Sequence, residues 1–119
     1  MMQIQFNTDH NIEGREALAI YVSEVVENAL NLVSGHITRV EVHLSDENSN
    51  KGGPNDKRCV MEARLEGRQP IAVTNHASGV GDAVADAADK LARLVENTLG
   101  RLHDQKLHHA APVPGPKVV

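Results

Sequence analysis

Seven histidines, one cysteine and a run of Asp and Asn are the residues of this 119-residue chain whose types could hold a metal or drive a reaction. Zinc sites need His, Cys or carboxylates paired at fixed short spacings. His10, His36, His43, His76 and His103 are dispersed, and none stands at such a spacing from a second ligand. His108 and His109 adjoin near the end of the chain and offer at most a weak grip. Asp46, Asn48 and Asn50 copy the first three ligands of a calcium loop. Lys51, however, occupies the place of the required glycine and Lys57 that of the bidentate acid, where a cation repels the ion. Cys59 lies inside an apolar strand pattern and has no second cysteine to pair with, so it reads as a small buried hydrophobe. No Ser or Cys is set in a tight strand-to-helix elbow beside a base. Gly79-Val80-Gly81 precedes a helical pattern and offers backbone amides to an anion. It lacks the third glycine of a dinucleotide loop and the Gly-Lys-Ser/Thr of a phosphate loop, and Asp82 adds a competing charge, so an ordinary helix start accounts for it. These residues imply no catalysis, no metal, no cofactor and no small-molecule substrate.

The remaining chemistry is cationic. Arg39, Arg58 and Arg64 fall on outward strand positions, Arg68 on a turn, and Lys90, Arg93 and Arg101 along one flank of a long helix. A planar guanidinium suits phosphate because it donates two parallel hydrogen bonds to its oxygens. The whole chain carries 12 Lys and Arg against 16 Asp and Glu, a formal charge of −4, which is the wrong sign for coating nucleic acid indiscriminately. Any phosphate contact must therefore be local. With one Tyr, one Phe and no Trp, the surface also has few rings on which bases could stack. The strand arginines are interleaved with Glu41, Glu62 and Glu66, and cross-strand pairing with those acids is the competing account of them. On the helix, Asp86 and Asp104 dilute the basic flank.

Periodicity predicts the elements that must position these cations. Met2, Ile4 and Phe6 alternate with Gln3 and Gln5, a short strand with one buried face. From Glu13 to Val33 apolar residues recur at helical spacing, with Glu16, Glu24 and Glu27 outside and Gly35 as the stop. Residues 37–44 and 58–66 alternate as strands with Val40, Val42, Leu44, Cys59, Met61, Ala63 and Leu65 inward. Between them, Ser45 to Lys57 is polar, carries Gly52, Gly53 and Pro54, and reads as a mobile loop. Gly67 and Arg68 turn the chain into a strand at Pro70 to Thr74, with Ile71 and Val73 inward. Ser78 is the expected N-cap of a helix from Gly79 to Lys106, whose seam is Val80, Val84, Ala87, Leu91, Val95, Thr98 and Leu102. The order strand, helix, three strands, helix predicts an α+β fold, a β-α-β-β-β-α two-layer sandwich with a four-stranded sheet and both helices on one face. One domain over residues 1–106 is expected, followed by a disordered Pro-rich tail over residues 107–119 with three prolines in five residues. No basic segment leads into an apolar run at the N-terminus, and nowhere do enough apolar residues follow one another to span a bilayer, so a soluble, cytoplasmic protein without membrane contact is expected.

Val-Glu-Val-His-Leu-Ser at residues 40–45, Glu-Ala-Arg-Leu-Glu-Gly at residues 62–67 and Asp-Lys-Leu-Ala-Arg-Leu at residues 89–94, in this element order, resemble the family of ribosome hibernation-promoting factors and ribosome-associated inhibitor A. That family is also called sigma-54 modulation or S30EA-type proteins. The resemblance spans about residues 2–106. It implies a domain that binds the small ribosomal subunit and its rRNA, fills the mRNA and tRNA channel when growth slows in stress or stationary phase, and acts by occlusion. Lys90 and Arg93 match the family's basic pattern on the second helix, and Arg101 a later basic position. Asn97 and Leu99 stand where relatives often have lysine, and Arg15 is the only cation on a first helix where relatives commonly place several. The length points to a short form without the further domain that pairs ribosomes. As rRNA contacts the resemblance implies Lys90, Arg93 and Arg101, with help from Arg39, Arg64 and Arg68. The alternative is a non-catalytic regulatory module whose sheet or acidic first helix meets a protein partner. A third reading, a small ligand binder or enzyme on the open sheet face, has only His43 and Arg64 to offer.

Overall fold

The computed structural model describes residues 2–9, 15–46 and 56–110, the last ten of these by their backbone alone. The strands are β1 (Gln3–Thr8), β2 (Ile37–Asp46), β3 (Lys57–Leu65) and β4 (Ile71–Ala77), and the helices α1 (Arg15–Ala29) and α2 (Val80–Ala110). The sheet order is β1-β2-β3-β4. β1 pairs with β2 in parallel, and the other two pairings are antiparallel. A parallel neighbour demands a crossover, which α1 supplies, whereas β3 and β4 need only a tight turn. That turn holds Gly67 at φ 71°, a conformation that glycine adopts without steric cost, and the Arg68 amide donates to the Leu65 carbonyl at 3.2 Å. The expected α+β sandwich is the observed one.

The strands alternate as their sequence predicts, because one face meets the helices and the other meets water, except at the start of β2, where a register shift between Ile37 and Arg39 leaves both Ile37 and Val40 buried. Val40, Val42 and Leu44 of β2 and Cys59, Met61, Ala63 and Leu65 of β3 are buried beneath Val22 and Val26 of α1 and Val84, Leu91 and Val95 of α2. α2 packs on β3 and β4, and α1 packs on α2 and β1. Ala83, Ala87, Ala88 and Ala92 are all buried, so the side of α2 that meets the sheet is built largely from small residues. The Tyr21 hydroxyl donates to the Gly81 carbonyl at 3.3 Å and joins the two helices.

Several boundaries differ from expectation: β2 runs two residues further, to Asp46, and β3 spans Lys57–Leu65, so both ends of the expected loop are strand. The first helix ends at Ala29, and a 3₁₀ segment occupies Asn31–His36 in place of a continuation to Val33. There the Val33 amide donates to the Leu30 carbonyl and the Ser34 hydroxyl to the Asn31 carbonyl, contacts that a run of Asn, Ser and Gly favours over the α form. β4 continues three residues past Thr74, to Ala77. The Ala83 amide donates to the Gly79 carbonyl, so Gly79 caps α2 in place of Ser78. α2 runs to Ala110, four residues beyond Lys106 and into the span expected as tail. Most of the expected loop (residues 47–55), the first residues expected in α1 (13–14) and the rest of the tail (111–119) lie outside the described residues.

Candidate nucleic-acid interface

The cations fall into two groups on different layers. Only two residues, Ser78 and Gly79, separate β4 from α2, so the helix folds straight back along the sheet's free edge. Its Lys90, Arg93 and Leu94 form a shallow groove with Val73 and Thr74 of β4, about 520 Å³ in volume. Leu94 is 41% exposed although it is a large apolar side chain on a well-packed helix. Lys90 donates from Nζ to Oδ1 of Asn75 at 2.9 Å, and the Asn75 amide donates to the Ala83 carbonyl at 3.4 Å. Arg93 pairs with Asp89 one turn earlier on α2, through Nη2 and Oδ2. Both residues of that pair are well exposed, where an ion pair contributes little and exchanges readily with a stronger anion. The edge therefore presents one ammonium bound to a neutral amide and one guanidinium loosely held by an acid.

The second group lies on the open face of the sheet. Its register sets Arg39 opposite Arg64 and Glu41 opposite Glu62, like against like. Direct cross-strand pairing is thus impossible, and the charges meet along and diagonally across the strands. Arg39 Nη2 lies 2.7 Å from Glu41 Oε2, while Arg64 Nε lies 3.5 Å from that same oxygen and 3.3 Å from Glu62 Oε1. His43 Nε2 approaches the other Glu41 oxygen at 3.6 Å. Two arginines face two glutamates, so the cluster is formally neutral apart from the histidine. Arg39 is only 32% exposed at its side chain, and its Nε is enclosed without a hydrogen-bond partner among the described residues. The competing account of the strand arginines, pairing with the interleaved acids, describes their geometry, although the pairs run along strands and diagonals.

Of the other cations, Arg68 is exposed in a recess with Gly67, Gln69 and Pro70. It stands past the Ile71 end of β4, the end toward which α2 runs. Arg101 lies on the backbone of α2, eight residues and about 12 Å along the axis from Arg93. Arg15 is exposed at the start of α1, whose last turn has no basic residue. Lys57 closes the far end of the sheet: its Nζ lies 3.1 Å from Asp56 Oδ1 and 3.4 Å from Asp46 Oδ2. The hydrogen bonds that the ammonium donates, first to Asp56 and then to Asp46, raise its pKa. Cys59 is fully buried, and desolvation pushes its thiol from 9.0 to about 12, which leaves no reactive thiolate near neutral pH.

Asn75 and Leu94 are the residues of this edge that sequence reasoning missed. Asn75 occupies an inward position in the alternation Ile71, Val73, Asn75, Ala77, where a polar side chain reads as the end of a strand. Continuing the period of two as far as Ala77 would have marked it as a buried polar group in need of partners.

The described residues thus form a two-layer sandwich with a cationic edge along β4 and α2. A family model for sigma 54 modulation protein / S30EA ribosomal protein matches residues 5–103, and the chain belongs to that family. Its fold is similar to that of the Protein Y N-terminal domain from Thermus thermophilus. That likeness has a TM-score of 0.66 at 21% identity, over 82% of this chain and 99% of that one. It is likewise similar to a ribosomal subunit interface protein from Coxiella burnetii, with a TM-score of 0.67 at 15% identity, over 84% and 99% of the two chains. No curated protein matches the chain. No helix among the described residues is long and apolar enough to cross a membrane.

Proposed function

We propose that this protein binds the small ribosomal subunit through the edge formed by β4 and α2, and that it blocks the mRNA and tRNA channel by occupancy, without chemistry. Family membership supports the ribosome as partner, and one of the structures it resembles is described as a ribosomal subunit interface protein. The observation that carries the choice of surface is the difference in charge state between the two cation groups. Lys90 is held by a neutral side chain, whereas Arg39 and Arg64 are held by Glu41 and Glu62. In this reading Lys90, Arg93 and Arg101 contact rRNA phosphates, Arg68 extends the line, and Arg39 and Arg64 take a lesser share. Helix α1, with Glu16, Glu24 and Glu27 exposed, is turned away from the RNA.

Sedimentation of purified protein with isolated small and large subunits tests the partner, and competition with initiator tRNA and a short mRNA tests occlusion. Binding to small subunits that both ligands displace is the expected result. Binding that neither displaces would refute occlusion, and capture of one protein partner without rRNA would favour the regulatory-module alternative.

A further inference from the structure

We infer that Asn75 is a positioning residue that holds the Lys90 ammonium ready for an RNA phosphate, an inference that rests on the β4–α2 edge being the RNA-facing one. Asn75 is a buried polar residue, 8% exposed, on the helix-facing side of β4. Its amide donates to the Ala83 carbonyl, and its Oδ1 accepts from Lys90. Ala83 and Lys90 are seven residues apart, about two turns, and so lie on nearly the same side of α2. Side chains on a helix lean toward its N-terminus, which carries the long Lys90 stem back toward the strand residue bonded near Ala83. One neutral side chain thus sets both the seating of α2 on the strand and the location of the ammonium.

Neutrality is the point of the arrangement. Arg39, Lys57 and Arg64 are each held by a carboxylate that is itself largely enclosed, which fixes the cation but cancels its charge toward any further anion, whereas the Asp89 that holds Arg93 is exposed and exchangeable. The Asn75 carbonyl oxygen fixes Lys90 and leaves its full charge, with two of its three N–H donors free of Asn75. A free lysine gives up substantial rotamer freedom when it binds, and ordering it beforehand removes part of that loss. The buried Asn75 oxygen in turn needs a donor, so the pair is mutually supporting.

The test is a double-mutant cycle of Asn75→Ala and Lys90→Ala, read by small-subunit binding against salt. It is accompanied by NMR of the lysine Nζ groups and a thermal melt of each variant. Asn75→Ala is expected to weaken binding about 2- to 10-fold, the range for one immobilised side chain, with an unchanged salt slope because the phosphate contact survives. In the Lys90→Ala background the same change is expected to cost nothing further. Asn75→Asp keeps the acceptor for Lys90 but loses the donor to the Ala83 carbonyl and adds a charge, so the melt is expected to fall while Lys90 stays ordered and the slope drops by about 0.7 to 0.9, one phosphate contact. A folded Asn75→Ala protein that binds like the parent, or that loses as much without Lys90 as with it, overturns the inference. If the parent itself binds no subunits, the ribosome reading fails, and the positioning claim is then judged by Lys90 Nζ alone. Order lost on Asn75→Ala upholds positioning, and order unchanged overturns it.

Discussion

The open sheet face and the β4–α2 edge hold the same kind of residue in opposite electrical states. On the sheet, Arg39 and Arg64 lie against Glu41 and Glu62 in a closed set of ion pairs. At the edge, Lys90 is bound to Asn75 and Arg93 to an exposed Asp89, beside a groove floored by Val73 and Leu94. Counting arginines would rank the sheet as high as the helix. What separates them is how the partner holds the cation: a largely enclosed acid turns it into part of the scaffold, while a neutral amide or an exposed acid leaves it available to a ligand. A protein of net charge −4 can hold an RNA-binding surface provided the acids are kept from a few cations.

The most disruptive way to break this comparison is to unseat the element that makes the edge. Leu91 is fully buried beneath α2, and Leu91→Ala is expected to lower stability by about 2 to 5 kcal/mol in urea unfolding, with loss of binding at temperatures where the variant melts. Next in size, Lys90→Ala with Arg93→Ala removes two charge-assisted contacts, each worth about 1.5 kcal/mol or more. Small-subunit affinity should then fall about 100-fold, with a stability loss of about 1 kcal/mol as the Asn75 oxygen gives up its donor, well short of that in Leu91→Ala.

A third prediction concerns the layer between the two regions. Cys59 pairs in register with Asn75, and its burial holds the thiol protonated up to about pH 12. The unfolded thiol releases its proton near pH 9.0, so at higher pH the native state binds more protons than the unfolded state. Stability should therefore be fully present below that value and fall by up to about 1.4 kcal/mol per pH unit above it. Lys57, whose pKa is also raised in the fold, acts in the same direction at still higher pH. Urea titrations from pH 8 upward, parent against Cys59→Ala, measure the difference; the same pH profile in both would show that the thiol is not sealed. The smallest effects belong to the sheet. Arg39→Ala with Arg64→Ala should cost less than about 3-fold in affinity, since these cations are already paired, and stability should shift by under about 1 kcal/mol. Glu41→Gln releases both arginines from their shared acid and is expected to steepen the salt dependence of binding, which filter-binding titrations would detect.

The fold was legible because burial imposes its period on the chain. The alternation through Val40, Val42 and Leu44 and the seam through Val84, Leu91 and Val95 both appear in the structure as read. Less legible were features that depend on which residues meet across the fold. Strand register decides that Arg39 faces Arg64 and not Glu62, and nothing local announces it. Asn75 looked like a strand end because its partners lie eight and fifteen residues away on the next helix. The basic set was visible in full as a composition, but its division into compensated and available cations emerged only from distances.

The most direct test is the salt dependence of small-subunit binding for the parent, the Lys90→Ala/Arg93→Ala protein and the Arg39→Ala/Arg64→Ala protein. The plot of log affinity against log salt should lose about 1.4 to 1.8 from its slope in the helix variant, two phosphate contacts at 0.7 to 0.9 each, and almost nothing in the sheet variant. Equal losses in both, or a loss confined to the sheet variant, would contradict the assignment of RNA contact to the β4–α2 edge.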